Sequence, residues 1–238
     1  MNVILRRSGL IIFAKYPTMS KVKSRLAKTT SDQFALEVYN ICAANIFESA
    51  DELRSKSPDI DIILFYSGNT EPPFRAWIKK DFIYYQQTGK SLGVRLANAF
   101  EVLFKKGYSK LAVVGTDVPD HTSGGLKNAF DTLDNFETVL GPSPDGGYYL
   151  LGMKRFLPEL FENIEWSSEN VYAATLEKIK RLKMTVDVLP ELYDLDDESD
   201  LKGWLRLPGA QSSVKAEIKK IYNKFTGTDE HRFESAGD

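Results

Sequence analysis

The sequence predicts an α/β fold: a mostly parallel central sheet with helices on both faces and a smaller mixed-sheet portion. Three observations carry the prediction. Apolar runs of strand length at residues 10–14, 60–66 and 111–115 have few polar interruptions, as strands covered on both faces do. Segments with helical spacing of apolar residues separate them, and such β-α-β alternation makes a parallel sheet between helical layers. Beyond residue 138 the alternation breaks: two strand-like runs, 138–140 and 148–153, face each other across Asp145-Gly146-Gly147, a strong hairpin turn.

In chain order, residues 10–14 form the first buried strand and residues 15–28 a basic loop containing Pro17. Thr30 with Gln33 has the spacing of a capping box and predicts a long helix over 31–54. Strand 60–66 precedes a Pro-Pro turn and a short segment around Trp77, and residues 82–85 form a third strand. Leu92, Leu96, Ala99 and Leu103 recur at helical spacing until Gly107 stops the element. Strand 111–115 leads to a helix over 122–133, then strands 138–140 and 148–153, helices near 156–161 and over 168–182, and a last strand at 184–189. Asp196 or Asp197 caps a short helix through Trp204, and residues 213–225 form a charged amphipathic helix. With no repeat and no Pro- or Ser-rich linker, residues 1–225 read as one domain and 226–238 as a polar, disordered tail.

The 238 residues carry 31 Lys and Arg against 33 Asp and Glu, a net charge of -2 that gives no footprint for nucleic acid or an anionic membrane. Cys42 is the single cysteine, so no intramolecular disulfide forms, and its apolar surroundings suit a buried hydrophobe in a reducing compartment. Lys15 interrupts the first apolar run too early for a signal-peptide core, and no run reaches membrane-spanning length, so a cytoplasmic protein is expected.

Candidate chemistry gathers after the strands. Asp117 and Asp120 follow the strand 111–115 in a turn held by Pro119. In open α/β sheets the ligand crevice lies outside the carboxyl ends of the strands, where a carboxylate can hold a divalent cation against phosphate oxygens. Turn and cap duty competes with that reading for both residues, and Asp120 in particular reads as a cap. Lys15, Lys21, Lys23 and Arg25 follow the first strand and suit phosphate, although neither a P-loop nor a dinucleotide glycine turn is present. Gln87 follows the third strand and can use both edges of its amide on a nucleobase. Arg95, in the first turn of the next helix, opposes the helix dipole unless an anion lies nearby. Asp145 at a strand end is placed for a substrate hydroxyl or a metal-bound water, and Gly146 and Gly147 allow close approach of a ligand; an ordinary hairpin explains the same residues. The acidic stretch 193–201 has metal-binding density but not EF-hand spacing, and reads as capping for the helix that follows. With only His121 and His231, a histidine-rich zinc site is excluded.

Taken in order, Phe13-Ala14-Lys15, Val22-Lys23-Ser24-Arg25-Leu26, the segment from Gln87 to Leu96, Gly115-Thr116-Asp117-Val118-Pro119-Asp120, Gly141-Pro142 and Asp145-Gly146-Gly147-Tyr148 resemble one family. It is the bacterial and archaeal group of uncharacterised transferases labelled radical-SAM/selenodomain-associated, within the nucleotide-diphospho-sugar transferase superfamily. Trp166-Ser167-Ser168, Asp194-Leu195-Asp196 and Asp200-Leu201 extend the likeness, which covers about residues 10–201. The resemblance implies a three-layer, Rossmann-like glycosyltransferase-A fold, a metal role for Asp117 and a donor-nucleotide role for the Lys-x-Arg-Leu loop. Departures stand at Ser20 (glycine is usual), Ser24 (threonine), Lys90-Ser91 (Gly-Asp) and Val94 (glutamate), and they bear on the donor side.

The expected function is a metal-dependent transferase using a nucleotide-diphospho-sugar, with Mg²⁺ or Mn²⁺ on Asp117 neutralising the leaving diphosphate. Catalytic roles are expected for Asp117, Asp145 and Lys23, and nucleotide-binding roles for Lys15, Lys23, Arg25, Gln87, Arg95, Gly146 and Gly147. The acceptor is an unassigned small molecule, and the sequence is silent on oligomeric state. One alternative is nucleotidyl transfer from an NTP to a phosphorylated acceptor, since the basic loop is also similar to that of phospholactate guanylyltransferases. A noncatalytic nucleotide-binding protein is the third reading, supported by Ser91 and Val94. Asp117→Asn is expected to abolish metal-enhanced nucleotide binding and leave the fold intact.

Overall fold

The computed structural model describes residues 7–68, 71–208 and 213–228. Seven strands form one sheet: β1 (Ser8–Ala14), β2 (Ile60–Tyr66), β3 (Ile83–Gln86), β4 (Lys110–Val114), β5 (Thr138–Pro142), β6 (Tyr148–Met153) and β7 (Val186–Val188). Their order is β3-β2-β1-β4-β6-β5-β7. β6 runs antiparallel to both its neighbours, β4 and β5, and every other pairing is parallel. The predicted parallel half and mixed portion are therefore one continuous sheet. The order departs from β1 in both directions, toward β2 and toward β4, and that switch opens a crevice beyond Ala14 and Val114.

Strand alternation sorts the core into two layers. Leu10, Ile12, Ala112 and Val114 pack against α2 (Asp32–Lys56), α3 (Pro72–Ile78) and α5 (Ser123–Asn135). Ile11, Leu111 and Val113 pack against α4 (Leu92–Lys105) and α6 (Val171–Arg181) on the opposite face. A further layer lies outside α2. There Leu26 of α1 (Ser24–Thr29), Leu201 and Trp204 of α7 (Glu198–Arg206) and Ile218 of α8 (Ser213–Thr226) bury around Phe34, Val38 and Cys42.

Several boundaries differ from expectation, each for a local reason. The basic loop holds α1 in its second half, started by Lys23 in the left-handed region at φ 44°. The cap of α2 is Ser31, whose hydroxyl accepts from Phe34 N–H, while Gln33 donates to Glu37 instead of closing a box with Thr30. The segment at Trp77 is helical as α3. Residues 156–161 make only a 3-10 turn, Pro158–Leu160, and α6 begins at Val171, after a turn in which the Ser168 hydroxyl donates to Glu165 O at 2.8 Å and accepts from Asn170 N–H at 3.4 Å. Thr122 caps α5; Asp120 is no cap, and its Oδ2 accepts the Trp204 indole N–H at 2.5 Å, tying β4 to α7. The tail expected over 226–238 falls, from residue 229 on, outside the described residues.

Candidate active site

A cleft of about 640 Å³ lies at the carboxyl ends of β1, β3 and β4 and at the β5–β6 hairpin. Lys15, Lys23, Arg25, Gln87, Arg95, Asp117, Asp145 and Gly147 all line it. The expectation that these scattered residues share one sheet edge is thus met in space. Gly146, Lys21 and Asp120 are absent from the lining, and of these only Gly146 has an expected binding role. Its φ is +84°, a Cβ there would stand 1.9 Å from the Glu169 carbonyl oxygen, and its own carbonyl accepts from Tyr172 N–H at 2.9 Å. The close approach that Gly146 permits is therefore made by the chain itself.

The centre of the cleft is a three-way contact. Lys23 Nζ lies 2.8 Å from Asp117 Oδ1 and donates to the Leu195 carbonyl at 2.9 Å, and Leu195 N–H donates to the Asp117 carbonyl at 3.1 Å. The Lys23 side chain is 1% exposed while that of Asp117 is 41% exposed. Burial disfavours the lysine charge, yet the Asp117 carboxylate outweighs it and holds the ammonium above its usual range. Burial likewise works against the Asp117 charge, and Lys23 overrides it to hold that carboxyl below the usual range.

Leu195 anchors a strap that crosses the strand ends. Leu189 N–H donates to Leu140 O at 2.8 Å, Leu192 N–H to Pro142 O at 3.2 Å, and Tyr149 O–H to Pro190 O at 3.0 Å. Leu195 itself is fully buried, and Asp194 and Asp196 on either side of it line the cleft. The acidic stretch therefore divides. Asp197 caps α7 in a capping box with Asp200, as the sequence suggests, whereas Asp194 and Asp196 belong to the site and were missed by the capping reading. Burial and the neighbouring Asp145, Asp196 and Asp117 push Asp194 up to about 7, and burial with Asp117 raises Asp196.

The remaining candidates carry mixed duties. Gln87 spends its amide N–H groups on Phe65 O (2.8 Å) and Ala14 O (3.4 Å), sealing the ends of β2 and β1, which leaves its side-chain oxygen to accept. Arg95 Nε holds Gly89 O at 2.9 Å and keeps its terminal amino groups. Ser91 caps α4 by accepting from Val94 N–H at 3.3 Å, so a neutral hydroxyl satisfies the helix start. Asp145 Oδ1 accepts from Ser143 O–H (2.7 Å) and Gly147 N–H (2.8 Å), the hairpin duty expected of it, while the same residue faces the cleft. Lys15 and Arg25 are exposed, and Arg25 lies 3.7 Å from Asp196.

Tyr39 of α2 also went unread in the sequence. Its hydroxyl donates to Lys15 O at 2.7 Å and accepts from Lys15 N–H and from Thr116 O–H, both at 3.1 Å, fixing the end of β1 against the end of β4. Trp166 closes the opposite side, its indole against Gly93 of α4 and edge-to-face with Tyr148. A Cβ on Gly93 would stand 2.2 Å from the Trp166 indole nitrogen. Gly93→Ala is therefore expected to displace Trp166 at a cost of about 1–3 kcal/mol, read as a changed tryptophan near-UV dichroism and a lower urea midpoint. An unchanged spectrum would remove this contact from the account.

A divalent cation suits this donor set. Four carboxylates line one space, and a cation there would relieve the part of the Asp194 shift that comes, after burial, from its carboxylate neighbours. Among the described residues no three such side chains converge to hold a metal unaided. A cation there would rest on one or two carboxylates and be completed by water and substrate phosphate.

Among known proteins, the family described as "Uncharacterized protein conserved in bacteria (DUF2064)" matches residues 52–168. A structure from Desulfovibrio desulfuricans G20, provisionally assigned as a nucleotide-diphospho-sugar transferase, superposes with a TM-score of 0.83 at 29% identity, covering 93% of this chain and 98% of that one. Two further structures share the fold alone. The 4-diphosphocytidyl-2C-methyl-D-erythritol synthase of Anaerococcus prevotii DSM 20548 gives a TM-score of 0.55 at 12% identity, over 85% of this chain and 100% of that one. The glucosyl-3-phosphoglycerate synthase of Mycobacterium tuberculosis, in complex with Mn²⁺, UDP and its product, gives 0.52 at 9% identity, over 93% and 80%. No curated protein matches this chain. These likenesses support the nucleotide-diphospho-sugar transferase superfamily and a transferase fold. No described helix is long and apolar enough to cross a membrane.

Proposed function

We propose that this chain is a metal-dependent transferase that takes a nucleotide-diphospho-sugar as donor and passes the sugar to a small-molecule acceptor. The observation that carries the reading is the meeting, in one cleft at the strand switch, of the Asp117 carboxylate with Asp196 and with the exposed cations Lys15 and Arg25. The likeness to the Desulfovibrio protein supports it.

Within this reading the side chains divide the work. Lys15, Arg25 from its place beside Asp196, and the terminal amino groups of Arg95 would bind diphosphate oxygens. The Gln87 side-chain oxygen accepts from a donor edge of the base. Asp117 with Asp196, whose carboxyl it raises, would hold Mg²⁺ or Mn²⁺, whose charge would stabilise the leaving diphosphate. Asp194, raised by burial and by Asp145 nearby, would accept the proton of the acceptor's attacking hydroxyl. Lys23 acts through Asp117 and Leu195, since both oxygens near its Nζ belong to the protein.

Nucleotidyl transfer is the second reading, because cytidylyltransferases share this fold. Incubating the protein and Mn²⁺ with UDP-, GDP- and CDP-sugars and with the NTPs, and weighing the products, separates the two. A nucleoside diphosphate released from a nucleotide-sugar is expected. Pyrophosphate released from an NTP, with no sugar nucleotide cleaved, would replace the proposal by the second reading.

A further inference from the structure

The charges lining the cleft are segregated along the chain. All its cations, Lys15, Lys23, Arg25, Lys90 and Arg95, come from the β1-to-α4 half, and all its carboxylates, Asp117, Asp145, Asp194 and Asp196, from the β4-to-α7 half. The two sets meet along the Lys23–Asp117 and Arg25–Asp196 contacts, at 2.8 and 3.7 Å. Lys90 and Ser91, which depart from the resembling family's Gly-Asp, sharpen the division by putting a cation and a neutral cap on the first wall.

The second wall therefore has a defined chemistry. Besides its carboxylates it offers the aromatic ring of Tyr148 and the hydroxyl of Ser168, and Trp166 stands where the two halves meet, against Gly93 of α4. Carboxylates accept hydrogen bonds from hydroxyl and ammonium groups, and aromatic faces cover the apolar C–H face of a polyol or attract a cation. A phosphate or carboxylate placed beside Asp145 and Asp194 would face like charge, because Lys23 and Arg25 already face Asp117 and Asp196.

From this segregation we infer that the acceptor is an unphosphorylated polyol or amino sugar, held against Asp145, Asp194, Tyr148 and Trp166, and that phosphorylated acceptors are rejected. The inference rests on the proposed function, in which the cationic wall is occupied by the donor diphosphate.

Matched probe pairs test it: glycerol against glycerol 3-phosphate, and glucosamine against glucosamine 6-phosphate. Binding to the full chain with Mn²⁺ is followed by saturation-transfer NMR, with and without UDP or GDP. The unphosphorylated member of each pair is expected to bind at least about tenfold more tightly, glucosamine best. Asp145→Asn, which keeps an oxygen for the hairpin, is expected to weaken glucosamine several-fold more than glycerol. Phosphorylated members binding equally or better, no unphosphorylated member binding, or an Asp145→Asn protein with unaltered preference would each overturn the inference. Nucleotide binding in the same samples separates the failures. Its absence defeats the functional reading, whereas nucleotide binding beside a phosphate-preferring acceptor wall defeats only this one.

Discussion

Asp117→Asn is expected to abolish Mn²⁺-enhanced nucleotide binding, lower turnover by at least about a hundredfold, and destabilise the protein by about 3 kcal/mol. The variant is expected to keep its fold, as the sequence also predicts, but at lower stability. The cause of the loss is the asymmetry of the ion pair. Lys23 is 1% exposed, so removing the negative charge leaves a buried ammonium facing two neutral acceptors, the new amide oxygen and the Leu195 carbonyl. For a chain of this size about 3 kcal/mol lowers Tm by roughly 6–12 °C. Calorimetry and titration of the variant with UDP and Mn²⁺ measure both effects; an unchanged Tm would mean that Lys23 finds another partner.

Lys23→Met in the Asp117→Asn background is the second large effect. Methionine fills the lysine's buried path without a charge, so the double variant is expected to recover most of the lost stability while turnover stays abolished. Lys23→Met alone costs less than Asp117→Asn, about 1–2 kcal/mol, because water in the cleft reaches the stranded carboxylate. Sign and pH window follow from the shifts. Asp117, held below its usual range, contributes stability above the unfolded carboxyl value and loses it as pH falls through its folded value. Lys23, held above its range, contributes below the unfolded lysine value and loses it as pH rises through its folded value. The pair thus stabilises fully across neutral pH, and the single-variant penalty of Lys23→Met shrinks in acid, where a protonated Asp117 needs no counter-ion. Additive losses in the double variant would refute this coupling.

How far the site was legible in the sequence depended on the range of the interaction that makes each part. Asp117 could be read because the apolar run Leu111 to Val114 announces a buried strand and the next turn must lie at its carboxyl end. Asp145 and Gly147 could be read as a hairpin at the same edge. The burial of Lys23 was not legible. A lysine between Ser20 and Arg25 looks like a solvated cation, and only its contact with Leu195, 172 residues away, makes it internal. Asp194 and Asp196 were hidden by their own neighbourhood. Asp197 and Asp200 satisfy every local signal of a helix start, and nothing nearby says that a buried Leu195 turns the two flanking carboxylates into the cleft. The six-residue α1 was missed because so short a helix has no periodicity to read.

The most direct test of the central claim is donor chemistry in the wild-type protein. Nucleotide-sugars are incubated with and without Mn²⁺, in the presence of glycerol and glucosamine, and the products are identified by mass. The account predicts Mn²⁺-dependent release of a nucleoside diphosphate together with a glycosylated acceptor. Pyrophosphate formed from an NTP, with every nucleotide-sugar left whole, would contradict it.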